Sequence, residues 1–209
     1  MNLLIVAATK FEIEPFLQQN KNAEVLITGV GITATIYHLT KKLIEKKFDR
    51  VIQAGIAGSF SDLINPEEVF IIKEDTFADI GIDENGIFKD LFDYHFLDKN
   101  DFPFSDGWLV NKDHFIENNI LPEARSVTVN KITDDKNQLE KITQKYSPQL
   151  ESMEGAAFHY VCLQQKINFL QLRSVSNKAG ERDKTKWQLK KAIENLNGEL
   201  IKITKEELQ

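Results

Sequence analysis

Two glutamates in unusual surroundings are the first candidates for chemistry. Glu12 lies four residues beyond a short apolar run, Leu3 to Ala8, and we expect it in the opening turn of a helix, where the helix amino end favours a carboxylate. Glu154 lies between Met153 and the small residues 155–157, so we expect it to be partly buried. A buried carboxylate needs partners, and either an internal salt bridge or the hydroxyl groups of a sugar would serve.

Asn177 and two glycine-containing turns are weaker candidates. Asn177 follows the apolar run 169–175, and an asparagine at a strand end is usually a turn residue. The turns 29–31 and 55–58 each follow an apolar run and would let a ligand approach the backbone. Neither turn matches a dinucleotide fingerprint or a phosphate-binding loop.

The histidines and the cysteine show no catalytic or metal-binding pattern. A single cysteine, Cys162, excludes an intramolecular disulfide and favours a packing role in a reducing compartment. The histidines lack metal-ligand spacing; they are His38, His95, His114 and His159. The sequence therefore implies no metal site.

The candidates lie at the ends of short apolar runs that predict strands buried on both faces. These runs cover residues 3–8, 25–28, 51–54, 69–72 and 169–175. Because ligands of open α/β sheets bind at the carboxyl ends of the strands, Glu12, Asn177 and the two turns are expected to lie near one another.

Helices are predicted between several of the strands. Apolar residues at helical spacing follow Gly31, with Thr33 as a possible cap, and again follow Met153. A helix near the carboxyl end has Asp183 as a possible start and Gly198 as its stop. Strands that alternate with helices indicate an α/β fold with a largely parallel sheet.

The chain has 209 residues, with 26 basic and 32 acidic side chains, so its net charge is −6. This length fits a single domain, residues 1–209, and the acidic balance argues against a nucleic-acid partner. No apolar run approaches the ~20 residues of a membrane span, and the first residues lack the features of a secretory signal. We therefore expect a cytoplasmic protein with no membrane partner.

Residues 81–113 interrupt the regular pattern with an acidic, aromatic-rich stretch. We interpret this stretch as an irregular excursion over the sheet rather than as a second domain. Its aromatic side chains are expected either to pack as a loop or to line a pocket for a bulky substrate.

Taken in order, these segments resemble the purine nucleoside phosphorylase and nucleosidase superfamily over nearly the whole chain. The specific part is the block Ser-Met-Glu-Gly-Ala-Ala at 152–157, followed by Arg-Ser-Val-Ser-Asn at 173–177. Within the superfamily, residues 77–81 and 180–184, with Trp187 after them, are most similar to the futalosine hydrolases. The resemblance implies a three-layer αβα domain around a central mixed, largely parallel sheet.

The resemblance also implies a reaction, the release of hypoxanthine from futalosine in menaquinone synthesis, without a metal or organic cofactor. Glu154 would bind the ribose hydroxyls and stabilise a cationic transition state, and Glu12 would deprotonate the attacking water. Met153 would pack against the sugar, and the segment near Ile132 would hold the base. The further substrate-binding candidates are the backbone of Ile56, Ala57 and Gly58, together with Ser152 and Arg182.

Asn177 stands where the related methylthioadenosine/S-adenosylhomocysteine nucleosidases have an aspartate. An aspartic acid can protonate N7 of the leaving purine and accept from the 6-amino group of adenine. An amide suits a 6-oxopurine, because its oxygen accepts from protonated N7 and its NH₂ donates to O6. Asn177 therefore favours hypoxanthine over adenine.

Other activities stay open at this stage. An adenine-type nucleosidase would merely tolerate Asn177, and a non-catalytic nucleoside-binding module would not need Glu12. An inosine-type phosphorylase needs a phosphate pocket, whereas residues 9–12 offer one lysine and a carboxylate that repels phosphate. Arg182 and Lys184 are either cations for the substrate's benzoate group or a surface charge cluster. The resemblance also leads us to expect a homo-oligomer.

Overall fold

Strands and helices alternate along most of the computed structural model, which describes residues 2–118 and 120–207. The described strands are β1 (Leu3–Ala7), β2 (Val25–Ile27), β3 (Arg50–Ser59), β4 (Val69–Phe77), β5 (Gly81–Glu84), β6 (Ile87–Asp90), β7 (Leu109–Val110), β8 (Glu123–Thr128), β9 (Leu150–Ser152) and β10 (Asn168–Lys178). The described helices are α1 (Glu14–Gln19), α2 (Ile32–Glu45), α3 (His114–Asn118), α4 (Lys136–Tyr146), α5 (Gly155–Gln165) and α6 (Leu189–Glu207). All five predicted strands are confirmed, and so are the three helices predicted from the spacing of apolar residues.

Two helix starts differ from the prediction. Glu12 lies in a 3₁₀ turn, Phe11–Ile13, directly before α1 rather than in the opening turn of an α-helix. Gly31, not Thr33, is the N-cap residue of α2, and its φ of 96° is accessible to glycine at little cost.

The last helix is longer than predicted. Gly198 does not end α6. Leu200 and Ile203 lie beyond it, and their burial in the core stabilises the rest of the helix. Asp183 does not start this helix but caps a 3₁₀ turn, where its carboxylate accepts from the backbone N–H of Thr185. Among the helices of the described residues, none is long and apolar enough to cross a bilayer.

The described strands form a mixed sheet. Parallel pairs join β2, β1, β3 and β10 in that order, and also β4, β8 and β9. Antiparallel pairs join β10 to β4 and β3 to β9, so that β3, β10, β4, β8 and β9 close into a ring from which β1 and β2 extend. A mixed α/β fold is thus confirmed, and the antiparallel pairs bring the ends of β3, β9 and β10 together.

Two apolar clusters cover alternate residues of the same strands. Ile5 and Ile52 pack towards α1 and α6, whereas Leu4 and Val51 pack towards α2 and α5. Successive strand residues point to opposite faces, so helices lie against both faces of β1, β3 and β10.

Residues 81–113 contain the β5–β6 hairpin, a series of turns and β7, which pairs with β4. Part of their aromatic content is packed: Phe104 contacts the rings of Phe92 and Tyr160, and Trp108 contacts Tyr146. Phe96 and Phe102 are exposed. This stretch is therefore in large part the packed excursion that was one of the two expectations.

Candidate active site

The site lies where β1, β3 and β10 end side by side. β3 pairs in parallel with β1 on one side and with β10 on the other. The 3₁₀ turn after β1 carries Glu12, and the turn that contains Gly31 follows β2. The sequence-based expectation that these strand ends would meet is confirmed.

Glu12 is 7 % exposed, and its carboxylate bridges two strand ends. The backbone N–H and the hydroxyl of Thr9 donate to Oε2 at 3.0 and 2.9 Å. The backbone N–H of Ile56 on β3 donates to Oε1 at 3.3 Å. The three donors hold the carboxylate in one position, as a general base requires.

Glu154 is the N-cap residue of α5 and is buried. The backbone N–H of Gly31 donates to its Oε1 at 3.0 Å, and Oε2 lies 3.7 Å from Nη1 of Arg173. Burial raises the pKa of Glu154, the Arg173 guanidinium and the Gly31 N–H lower it, and the Glu12 charge adds to the increase. The two predicted carboxylates therefore share one electrostatic environment, and both are buried.

Arg173 is 1 % exposed and organises the centre of the site. Its Nε donates to Gln171 at 2.9 Å, its Nη2 donates to Gln53 at 2.9 Å, and its Nη1 faces the Ile56 carbonyl and Glu154. The guanidinium lies over Gly55, where a Cβ atom would stand 2.3 Å from Nη1. Arg173 belongs to the motif 173–177, but its type and spacing alone predict no role for it; a charged residue inside an apolar strand was the available signal.

A chain of buried polar side chains extends from Arg173 beneath α5. Gln171 donates to Asp75 at 3.1 Å, and the Thr128 hydroxyl donates to Asp75 at 2.9 Å. Burial raises the pKa of Asp75 to about 6. The backbone N–H of Ala156 in turn donates to Thr128 Oγ1 at 2.7 Å, which ties the start of α5, and with it Glu154, to the sheet.

Asn177 is buried at the end of β10, beside Gly58 of β3. The Ser176 hydroxyl donates to its Oδ1 at 2.7 Å, and its Nδ2 donates to the Lys178 carbonyl at 2.8 Å. A primary amide has two acceptor positions and two donor hydrogens. One of each is used here, so one acceptor and one donor remain for a ligand.

The other predicted residues fall into two groups. Ala57, Gly58 and Ser152 are buried near the strand ends, and Ile56 and Met153 are half-buried. The Ser152 hydroxyl accepts from the Gly155 N–H at 3.1 Å and so takes part in starting α5.

Ile132 and Arg182 lie in the surrounding loops. Ile132 packs against the cluster that contains Val127 and Tyr146. Arg182 is exposed, with its guanidinium 5.9 Å from the centre of the Trp187 ring. In the described part of the chain, no group of histidine, cysteine, aspartate and glutamate side chains is arranged to hold a metal ion.

Glu151 is a buried acidic residue that sequence reasoning missed. It lies on β9 directly opposite Gly58 and is 2 % exposed. Burial raises its pKa to about 7, and Arg182 lowers it. The sequence signal was weak, because a glutamate between Leu150 and Ser152 is indistinguishable from a solvated strand residue.

The arrangement can perform a displacement at a sugar carbon. It offers a fixed carboxylate as base, a second buried carboxylate that stabilises positive charge, and an amide for the leaving group. The donors at Thr9 and Ile56 already bind the Glu12 carboxylate, so they are not free to hold an anionic nucleophile.

Known proteins share this sequence pattern and fold. A futalosine hydrolase from Thermus thermophilus is 26% identical over 186 residues, 87% of this chain and 81% of the relative. The structure of futalosine hydrolase of Helicobacter pylori strain 26695 superimposes with a TM-score of 0.78 at 17% identity, covering 98% of this chain and 97% of that one.

A 5′-methylthioadenosine/S-adenosylhomocysteine nucleosidase from Neisseria meningitidis, in complex with methylthio-immucillin-A, superimposes with a TM-score of 0.81 at 18% identity and covers 98% of both chains. At these identities the two structural likenesses establish the fold. The sequence model of the phosphorylase superfamily matches residues 16–206. The chain therefore belongs to the phosphorylase superfamily.

Proposed function

We propose that the protein hydrolyses the N-ribosyl bond of futalosine and releases hypoxanthine and dehypoxanthine futalosine. The observation that carries the proposal is the joint placement of Glu12, Glu154 and Asn177 at adjoining strand ends, each with fixed partners. The similarity to the futalosine hydrolase from Thermus thermophilus supports the choice of substrate.

In the proposed reaction, a water oxygen attacks C1′ of the ribose while the bond from C1′ to N9 breaks. Glu12 takes the proton of the water, and the bonding electron pair leaves with the purine, which takes up a proton from solvent at N7. Glu12 then returns its proton to solvent, so that the step balances. Glu154 accepts hydrogen bonds from the ribose hydroxyls, and its negative charge stabilises the cationic sugar. Met153 packs against the sugar, beside the backbone of residues 56–58, and Ser152 holds the start of α5 in place.

The leaving group is proposed to be a 6-oxopurine. The free acceptor position of Asn177 takes the hydrogen on protonated N7, and its free N–H donates to O6. Adenine presents a donor at position 6 and leaves a buried donor unpaired, which costs about 1–3 kcal/mol. Ile132 is proposed to contact the base, which its place beside Val127 supports.

Hydrolysis is favoured over phosphorolysis by the contacts of Glu12. A phosphate site needs free donors and positive charge, whereas the Thr9 and Ile56 donors hold a carboxylate here. A phosphate brought to this point would meet the negative charge of Glu12. This argues against the inosine-type phosphorylase.

A methylthioadenosine/S-adenosylhomocysteine nucleosidase is the second candidate. The likeness to the enzyme from Neisseria meningitidis favours it as strongly at the level of fold. Asn177 separates the two candidates, because its amide suits a 6-oxopurine better than adenine. A non-catalytic binding module is disfavoured, since binding alone gives no reason to bury Glu12 at the strand ends.

The remaining proposals concern the whole chain. We propose a single domain over 1–209, of which residues 1, 119, 208 and 209 lie outside the described part, with three layers and a largely parallel sheet. The two clusters on opposite sheet faces support the layers. A homo-oligomer is proposed, supported by the exposed apolar side chains of Tyr37 and Ile44 on α2. A cytoplasmic location is proposed as well. Arg182, exposed beside Trp187, is the proposed cation for the benzoate group.

The proposal is tested by following hypoxanthine release from futalosine by liquid chromatography, with and without phosphate. We expect release at the same rate in both conditions, and no sugar phosphate among the products. Release that requires phosphate would establish phosphorolysis instead. Binding of futalosine without any release would establish a binding module.

A further inference from the structure

Glu151 is the buried acid that the proposed reaction does not use. Among the described residues no hydrogen bond holds its carboxylate; the residue is 2 % exposed, and its oxygens are not among the fully buried atoms that lack a partner. A largely desolvated carboxylate without a hydrogen-bond donor is costly, and this one is still reached by solvent, so a donor that arrives with the ligand would explain its position.

The sheet register places Glu151 beside the residue proposed to read the base. Asn177 on β10 pairs with Gly58 on β3, Gly58 pairs with Glu151 on β9, and Glu151 pairs with Val127 on β8. Paired residues of neighbouring strands point to the same face. Val127 shares a cluster with Ile132. The four paired residues therefore extend from Asn177 to the neighbourhood of Ile132, the two residues proposed to contact the base.

Gly58 lets the Glu151 side chain lie against β3. A Cβ atom at Gly58 would stand 3.1 Å from Oε1 and 3.2 Å from Cγ of Glu151, and 3.5 Å from Cα of Ala179. Because Gly58 has no side chain, the Glu151 carboxylate reaches the backbone of β3, one strand away from Asn177.

We propose that Glu151 accepts a hydrogen bond from N1–H of the 6-oxopurine and is, with Asn177, the second residue that determines base specificity. In a 6-oxopurine, N7, O6 and N1–H follow one another along one edge of the ring. Asn177 reads the first two positions, and the carboxylate on the other side of Gly58 reads the third. This inference rests on the proposed function.

The pairing rejects adenine at a second point. N1 of adenine is an acceptor, so an ionised Glu151 meets it with repulsion and an unpaired buried charge. Protonated Glu151 can instead donate to N1 of adenine. The charge state of one side chain thus sets which purine is accepted.

The surroundings of Glu151 place its titration near neutrality. Gly58 and Val127, its register partners on the two adjoining strands, carry no charge, and Arg182 supplies a positive charge that lowers the pKa. Burial dominates and raises the pKa to about 7. In the free enzyme, kcat/KM for futalosine is expected to rise with pH through this value.

The test compares kcat/KM for futalosine and for its 6-amino counterpart in the parent protein, Glu151→Gln and the exposed control Glu194→Gln. We expect Glu151→Gln to lower the ratio of the two values about tenfold to a hundredfold and to remove the rise near pH 7. The control variant is expected to keep the parent's ratio of kcat/KM values and its rise near pH 7. An unchanged ratio and pH profile in a folded Glu151→Gln would overturn the inference.

A substrate-side test needs no variant. Futalosine methylated at N1 lacks the N1–H, and its methyl group occupies the space of the hydrogen bond. We expect the parent protein to hydrolyse it at least about a hundredfold less efficiently than futalosine. Equal hydrolysis of both would contradict a role for Glu151 at N1, whereas no release from futalosine itself would contradict the proposed function.

Discussion

Single side chains in this site derive their properties from their neighbours. Glu12 is held by three donors, and Glu154 by one donor and the charge of Arg173. Glu151 has burial but no such partner, and its pKa is raised to about 7. Three glutamates of one chain thereby have three different electrostatic environments.

Replacing Glu12 by glutamine is expected to keep substrate binding and to stop hydrolysis. The amide oxygen can still accept from Thr9, but it cannot take the proton of water, so kcat should fall about 10²- to 10⁴-fold. Futalosine affinity from calorimetry and turnover from chromatography separate the two effects. Glu14→Gln, an exposed acid two residues away, serves as the control. Near-normal turnover in Glu12→Gln would remove Glu12 as the base.

Replacing Asn177 by aspartate is expected to shift preference towards 6-aminopurine nucleosides. The carboxyl group can accept from a 6-amino group, and it cannot donate to O6 once ionised. The ratio of kcat/KM for futalosine to that for its 6-amino counterpart should fall about tenfold to a hundredfold. Asn137→Asp, on the exposed face of α4, should leave the ratio unchanged. A constant ratio in Asn177→Asp would count against the amide pairing.

Glu151 also makes the stability of the ligand-free protein depend on pH. Its folded pKa of about 7 lies above the ordinary value of 4.5, so the folded state binds the extra proton and the parent loses stability as pH rises between these values. Glu151→Gln should therefore gain up to about 3 kcal/mol relative to the parent between pH 5 and pH 8. Urea unfolding at both pH values measures this gain. A difference that does not change with pH would show that Glu151 titrates normally.

The site residues predicted from sequence were those with unusual immediate neighbours. Glu154 stands out among small residues, and Asn177 ends a long apolar run. Glu151 could not be found in this way, because its burial comes from β3 and β8 pairing on either side of it. Those contacts are distant in sequence and leave no local pattern.

At the scale of elements, the site depends on close contact between strands. Gly55 permits the Arg173 guanidinium and the Glu12 carboxylate to lie against β3. Arg173 in turn is fixed by Gln53 and Gln171, one from each of two adjacent strands. The pairing of β3 with β10 thereby fixes the position of the Arg173 guanidinium.

Gly55→Ala is expected to damage both the site and the fold. The new Cβ atom would stand 2.3 Å from Arg173 Nη1, and the hydrogen bonds of Arg173 oppose its displacement. We expect a loss of about 1–3 kcal/mol in unfolding free energy together with loss of hydrolysis. Gly198→Ala is the matched control, since its Cβ meets open space within α6, and it should gain about 0.5–1 kcal/mol. Two equally stable variants would refute the packing argument.

The elements found from sequence were those with continuous apolar runs. β8 and β9 escaped notice because Glu123, Arg125 and Glu151 break the apolar pattern. α4 escaped because it is largely polar, with Tyr146 as its buried residue. The end of α6 was misplaced because a glycine is a helix stop only where nothing beyond it packs, and Leu200 packs against the sheet.

At the scale of the molecule, β3 and β10, which end at the candidate site, belong to one closed part of the sheet. The positions of their ends are fixed by the ring that β3, β10, β4, β8 and β9 form. The proposed chemistry depends on the residues at the strand ends. In this chain the carboxylate of Glu12 occupies the donors at the strand ends and would repel an anion there. In the proposed reaction, the fold therefore sets where the bond is cleaved, and a few side chains set whether water or phosphate attacks.

The most direct test of this account is a substrate panel followed by liquid chromatography. Futalosine, inosine and methylthioadenosine are each given to the purified protein, and the free base is quantified. The account predicts that hypoxanthine is released from futalosine with the highest kcat/KM and that methylthioadenosine is a poor substrate. Efficient release of adenine from methylthioadenosine, with little hypoxanthine from futalosine, would contradict it.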